Sequence, residues 1–447
     1  MKKILPIPLL LLMAALLADQ VTIYNNDFAL VRTNLSLQLA KGLQDYYFED
    51  IPIMIDPNSV IITSEKEGLD IFSQNYEYDL ANTRKIMQKY IGRSISLLTK
   101  SEYKFKGILQ FNDFDTIGLI DETDGQLNLI QQDEIRNIVL DTLPENFFLK
   151  PTLHWQLLIP KNGEYPLEVS YLCRGMMWEV TYNTVWNEDK RILDINSWVT
   201  LTNETGKGFR DTKLKLIAGD VRKLDKDLYP ERMTPDEAMY EEYAKGVPTF
   251  EEKAFHDFHL YTLSANVTIN NNQTKQLQLF PLAKVKAEPK YEYRTHTDKI
   301  MGKIVFVNSK SNSLGIPLPR GTVMIYKLDE ADDNLEFIGE DRIDHTPTDE
   351  EIELVTGYAF DLVGETVVLE QRKEGKNVLE RDISVTLKNR GTSARKITIV
   401  HDLSAFWSIR SESLPYAKKD ADTIEFEKKL SGGEVFTLSW TERIEYK

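Results

Sequence analysis

From Val21 onward, apolar and polar residues alternate in short runs broken by Asn, Asp, Gly and Pro. VTIYNN, FALVRTNLSLQL, DYYFEDI and NSVIIT each read as a strand, and their period of two predicts an antiparallel sheet in the region 19–90. One exception is DLANTRKIMQKYIG, where Leu80, Thr83, Met87 and Tyr90 share a helical face and Gly92 can end the turn. Residues 91–143 then give five short runs, ISLLT, FKGILQF, TIGLID, LNLI and IRNIVL, which predict a small β-barrel-like module. Gly125 suits a hairpin tip there.

A longer β region follows over 144–350, expected to be a sandwich. In VSYLCRGMMWEVTYN the alternation places Cys173 in a core and puts Trp178 and Tyr182 on one face. The Arg174–Gly175 pair predicts a reversal that would pair the two flanking strands. A phrase recurs four times, WVTLTNETGK, NVTINNNQTK, IVFVNSKSN and ISVTLKNRGTSA, each ending a strand at Asn203, Asn270, Asn308 or Asn389. Asn suits such turns because its side chain bonds to nearby backbone. The unequal intervals argue for sandwich strands more than for a regular repeat.

Within this region, 230–256 reads as a helical insertion. Thr234 caps it, Pro235 fits the first turn, Glu237 completes a capping box and Gly246 stops it; a second short helix is expected after Thr249, with Glu252 in the capping position. The last segment, 351–447, carries six or seven strand-like runs and predicts an immunoglobulin-like sandwich, with turns at Lys418–Asp422 and Gly432–Gly433. The fold class is therefore all-β and multidomain.

Composition adds limits to this picture. A chain of 447 residues with 42% apolar content is long enough for several cores. Its net charge of -16 repels phosphate backbones, so nucleic acid is not an expected partner. Cys173 is the single cysteine and can form neither an internal disulfide nor a cysteine metal site. Residues 1–18, MKKILPIPLLLLMAALLA, have the layout of a secretory signal peptide, with cleavage expected after Ala18. No later stretch is long and apolar enough to span a bilayer.

Candidate chemistry is sparse. His256 and His259 flank Asp257 but lack a complete metal-ligand pattern. His401, Asp402 and Ser404 hold the residue types of a hydrolase triad, yet lie too close in sequence to face one another as a triad requires. Asp220, Asp225 and Asp227, the ADDN turn at 331–334 and the DETDG turn at 121–125 are acidic but match no twelve-residue calcium loop. Trp155, Trp178, Trp186 and Trp198 could line a sugar platform, and suit a sheet-to-sheet core better. No catalytic, cofactor-binding or metal-ligating residue is assigned, and no cofactor is expected.

The chain resembles the bacterial domain-of-unknown-function family numbered 4139, whose members include mucoidy-inhibitor-like proteins. The resemblance runs from VTIYNNDFALVR to the carboxyl terminus through IDPNSVII, KYIGRSISLL, KPTLHWQL, VSYLCRGMMWEVTYN, WVTLTNETGKGFRDTKLKLIAGDV, FHLYTL and GIPLPRGTVMIYKLD. Trp178, Tyr182, Asn203, Gly219, Asp220, Tyr261, Pro317, Pro319 and Gly321 match its landmarks. The amino-terminal coiled-coil character of some relatives has no counterpart here. The resemblance implies an exported β-rich protein of the periplasm or cell envelope, with an envelope protein or glycan as partner. A noncatalytic binding or structural module is expected; the alternative is a secreted glycan or ester hydrolase with its site in the central β region.

Overall fold

The computed structural model describes residues 19–64, 66–79, 83–113, 115–140, 142, 147–219, 221–222, 249–329, 331–332, 334–404 and 406–446. Among these the chain forms 31 strands and one α-helix, so the all-β reading holds. No described helix is long and apolar enough to cross a membrane. The expected helix from Thr234 to Gly246 lies outside the described residues. After Thr249 the chain is a strand, Phe250–Phe255, and not the second helix that a capping motif suggested. Its ladder with Phe258–Leu263 supplies partners along the whole strand, and tertiary pairing overrides a local cap.

The helix Thr83–Lys89 forms as the apolar spacing predicts, and buries Met87, with Tyr90 just beyond it, against the five-strand module. Those strands, Ser94–Thr99, Lys104–Asn112, Thr116–Asp121, Leu127–Gln131 and Ile135–Leu140, make an open sheet with the last beside the first. Ile95, Leu97, Leu109, Ile117 and Leu119 fill its core.

Two larger cores follow. One joins residues of an eight-stranded, a three-stranded and a six-stranded sheet, including Val31, Tyr171, Trp155, Val180, Leu201 and Val323, with Ile304, Phe306, Ile352 and Leu354 of a nine-stranded sheet. The other is built within the nine-stranded sheet by Tyr293, Ile300, Val385, Ile399, Phe426 and Trp440. That sheet takes Glu288–Arg294 and Lys299–Val307 from ahead of residue 351. A sheet whose own strands enclose a core must curl, which the long strand Glu351–Glu374 permits through register shifts.

Arg174–Gly175 is not a hairpin. Gly163–Arg174 pairs with Phe28–Leu39, whereas Met176–Asn187 pairs with Ile192–Asn203 in another sheet. Gly175, at φ +82, turns a corner that passes one nearly continuous strand between sheets.

Two of the four Asn phrases, those at Asn203 and Asn389, mark a duplicated strand plan. In the first copy, Gln20–Tyr24 runs parallel to Phe209–Ala218 and antiparallel to Phe28–Leu39, which pairs with Gly163–Arg174. In the second, Glu288–Arg294 runs parallel to Arg395–Asp402 and antiparallel to Lys299–Val307, which pairs with Glu351–Glu374. Met176 pairs with Asn203 as Leu362 pairs with Asn389; 362 minus 176 and 389 minus 203 both give 186. Glu204 N donates to Gly175 O at 2.7 Å, and Arg390 N to Asp361 O at 2.7 Å, under the same offset. Asn203, Asn308 and Asn389 are buried, whereas Asn270 is exposed at the end of a three-residue strand.

Candidate functional site

The three-stranded sheet separates an apolar face from a mixed one. Its order is Gly42–Phe48, Thr152–Ile159, Asp70–Glu77, with the second strand central. Alternation turns Leu153, Trp155 and Leu157 into the first large core, where Trp155 lies 5.6 Å from Phe48 and 5.8 Å from Tyr46. The Trp155 indole donates to Gln74 Oε1 at 2.8 Å, so the polar atom of this buried ring is satisfied.

On the opposite face, Tyr47 sits across from His154, Asp45 from Gln156, and Leu43 from Leu158. Leu43, Tyr47 and Leu158 are 54%, 48% and 48% exposed. The register shifts between Gln156 and Leu157, and the skipped residue of the partner strand, Phe72, is 75% exposed. His154 stacks on Tyr47 with centroids 4.4 Å apart, and its Nε2 lies 2.8 Å from Asp45 Oδ1. That hydrogen bond holds the Asp45 carboxyl below its ordinary range. Gln156 Oε1 accepts from Ser73 at 3.0 Å. The face thus combines apolar contact area with oriented polar groups, and among the described residues each outer strand is paired on one side only.

The histidines singled out in the sequence do not form a metal centre. His256 lies in the turn between two paired strands and contacts exposed Asp257 at 3.0 Å, while His259 contacts Glu252 at 2.7 Å. Among the described residues no group of three or more His, Cys, Asp or Glu could hold a metal ion. Asp121 Oδ1 accepts from Thr123 N at 2.7 Å and Asp332 Oδ1 from Asn334 N at 3.1 Å, so these acidic side chains stabilise their own turns. Asp220, Asp225 and Asp227 lie outside the described residues. Trp155, Trp178 and Trp186 are buried in the core, whereas half-buried Trp198 alternates with buried Ser197 and Val199 and lies on the other face of its strand, so the four form no shared sugar platform.

His401 has partners that its sequence neighbours did not announce. Asp402 and Ser404 are exposed. Instead, Thr295 Oγ1 lies 2.7 Å from His401 Nδ1 and Glu442 Oε2 lies 2.6 Å from His401 Nε2. Arg381 Nε donates to Glu442 Oε1 at 2.5 Å, and Trp440 meets the imidazole edge-on at 4.9 Å. Burial pushes the Glu442 carboxyl up, but His401 and Arg381 hold it below its ordinary range. Residues from three strands and from the turn after Arg294 meet here, and no linear spacing could have found them.

A second buried charge centres on Lys207. Its Nζ lies 2.9 Å from Asp19 Oδ2 and 2.9 Å from Asp50 Oδ2. Thr33 Oγ1 also donates to Asp19. Two carboxylates and one ammonium leave this buried lysine paired, a structural role.

A cleft of about 530 Å³ brings together Trp186, Glu188, Asp189, Lys327, Asp329 and Glu336. Burial raises the Glu188 carboxyl, yet Arg395 and Lys327 bind it and keep it below its ordinary range. Glu188 is therefore an anion and a poor proton donor for glycoside cleavage.

Trp178, Tyr182, Tyr261, Pro317, Pro319 and Gly321, six of the positions singled out in the sequence, lie close together. Tyr182 Oη donates to Pro319 O at 2.7 Å and Tyr261 Oη to Pro317 O at 2.8 Å. Trp178 lies 6.3 Å from Tyr261. Burial pushes both tyrosine hydroxyls above their ordinary range. Gly321 lets its strand approach Val180, since a Cβ there would stand 2.3 Å from Val180 O. These contacts fasten the Pro317–Pro319 loop to the sheets, a structural use of these six residues.

The fold thus defines an all-β protein of packed, sandwich-like sheets with a small appended sheet module. No protein-family model matches the chain, and no curated protein is significantly similar to it.

Proposed function

We propose that this is an exported bacterial envelope protein that recognises a partner through the outer face of its three-stranded sheet. Export rests on the charged, apolar and small-residue layout of residues 1–18, with cleavage after Ala18. Membership of the family numbered 4139 is part of the same proposal and rests on the phrases that run along the chain. The observation that carries the binding role is the exposed apolar set Leu43, Tyr47, Phe72 and Leu158 around the Asp45–His154 pair. A monomeric solvent-facing sheet would carry alternating polar residues there.

An envelope protein fits this face better than a glycan. Tyr47 and His154 stack on one another at an interplanar angle of 9°, which takes one face of each ring, and the aliphatic Leu43 and Leu158 beside them suit apolar side chains better than a sugar. Binding of the purified chain, lacking residues 1–18, to envelope fractions tests the proposal. The Leu158→Asp variant should lose that binding while keeping its fold; equal binding by both proteins would refute it.

A second reading is ester hydrolysis, favoured by the Thr295–His401–Glu442 line. Thr295 Oγ1 would attack the ester carbonyl as His401 accepts its proton, and the alkoxide would leave with that proton; water would then cleave the acyl-threonine. Turnover of p-nitrophenyl acetate that disappears in Thr295→Ala would support it.

A further inference from the structure

The duplicated strand plan leaves its two corners differently covered. In the first copy, the outer edge of Leu172–Arg174 is filled by the chain's own segment Ile53–Asp56. Ile55 bridges Cys173, Arg174 N donates to Met54 O at 2.9 Å, and Asp56 N donates to Leu172 O at 2.8 Å. Ile53 N also reaches Thr205 O at 2.9 Å, on the Asn203 turn. The offset of 186 that relates Asn203 to Asn389 and Gly175 to Asp361 carries Leu172, Cys173 and Arg174 to Tyr358, Ala359 and Phe360.

At this second corner no described segment bridges Tyr358, Ala359 or Phe360 on that edge. Ala359 packs on the core, yet Tyr358 is 61% and Phe360 98% exposed. The ladder beside them is strongly irregular, for Lys299 pairs with Val363 and Met301 with Tyr358. Such a bulge re-aims the strand and pushes the aromatic residue outward. A nearly fully exposed phenylalanine beside an open strand edge is a docking feature.

We infer that the Tyr358–Phe360 corner binds an extended segment of a second protein, by the backbone bridge that Met54–Asp56 makes at the first corner. The chemistry of that segment follows from the substitutions between the copies. It is apolar where it meets Phe360, since Lys299 Nζ already lies over the Tyr358 ring at 5.2 Å. Met54 Sδ lies 2.9 Å from where a Gly175 Cβ would stand; the counterpart of Gly175 is Asp361, so a lysine fits at the position of Met54. The partner strand is thus short, apolar and singly basic, and adds to the edge by main-chain hydrogen bonds.

The test uses the whole mature chain and a synthetic peptide of residues 50–56 carrying Asp50→Ser, Met54→Lys and Asp56→Ser, so that the lysine is its one charged side chain. Fluorescence anisotropy of the labelled peptide should show saturable binding with a dissociation constant of about 100 μM or tighter. Phe360→Ser should weaken it by about tenfold or more through the lost ring. Phe360→Pro, which also removes the N–H equivalent to that of Arg174, should abolish it. Circular dichroism and melting of both variants should match the parent chain, since the altered side chain is in solvent. Absence of saturation at about 1 mM peptide, or equal affinity in all three proteins, overturns the inference. Dimerisation of the unliganded chain that Phe360→Ser removes, seen by sedimentation, also overturns it by assigning the corner to a second copy.

Discussion

Asn203 and Asn389 perform the same task 186 residues apart. Asn203 Nδ2 donates to Lys207 O and Asn270 O, both at 2.9 Å, and Asn389 Nδ2 donates to Ser393 O at 2.9 Å and Ser431 O at 3.0 Å. Each Oδ1 accepts from the backbone N–H two residues on, that of Thr205 at 3.2 Å and that of Gly391 at 3.0 Å. The side chain replaces the ladder where a strand stops and the chain crosses to the next one.

Removing that clamp leaves the buried Leu430 carbonyl and the partly buried Ser393 and Ser431 carbonyls short of a donor. Asn389→Ala should cost about 2–4 kcal/mol, because each unpaired buried polar group carries a penalty of its own. Asn389→Asp should cost more, since a carboxylate would face carbonyl oxygens. Urea unfolding followed through Trp407 and Trp440, both in the nine-stranded unit, measures the change.

Acid should loosen the nine-stranded unit through Glu442. Its folded carboxyl is held below the ordinary value, so its contribution is present above the unfolded value of about 4.3 and is lost as pH falls through the lower folded one. Glu442→Gln should destabilise by about 3 kcal/mol at pH 7, and the difference from the parent should vanish in strong acid. Calorimetry across pH 2–7 reads both limits; a difference that is constant with pH would contradict the assignment.

The two faces of the three-stranded sheet should respond oppositely. Trp155→Ala empties a filled core position and should cost about 3–5 kcal/mol. Tyr47→Ala, on the outer face, should change stability by no more than about 0.5 kcal/mol while impairing envelope binding. Thermal melts and binding measured on the same preparations separate these effects.

Gly321→Ala should disturb the parallel pairing of Met176–Asn187 with Gly321–Leu328. A Cβ would stand 2.3 Å from Val180 O and 3.0 Å from the Tyr182 ring, so either the backbone separates or the Tyr182–Pro319 hydrogen bond breaks. A fall in melting temperature with slower folding is expected, and an unchanged melt would show that the strands can part freely.

The alternation of side chains by itself determined the all-β class, the buried side of Cys173, Trp178 and Tyr182, the helix at Thr83–Lys89 and the turns at Gly125 and Gly432–Gly433. These are local outcomes, set by a period of two or 3.6 and by backbone preference. Tertiary structure alone decided that Arg174–Gly175 is a corner between sheets, that Phe250–Phe255 is a strand, and that Thr295, Glu442 and Arg381 surround His401. It also decided that the Asn203 and Asn389 phrases belong to a duplicated plan, with one corner covered by Ile53–Asp56 and the other exposed at Phe360. Strand pairing joins residues hundreds of positions apart, and the choice of neighbour depends on which faces can be buried together, a property of no single window of sequence.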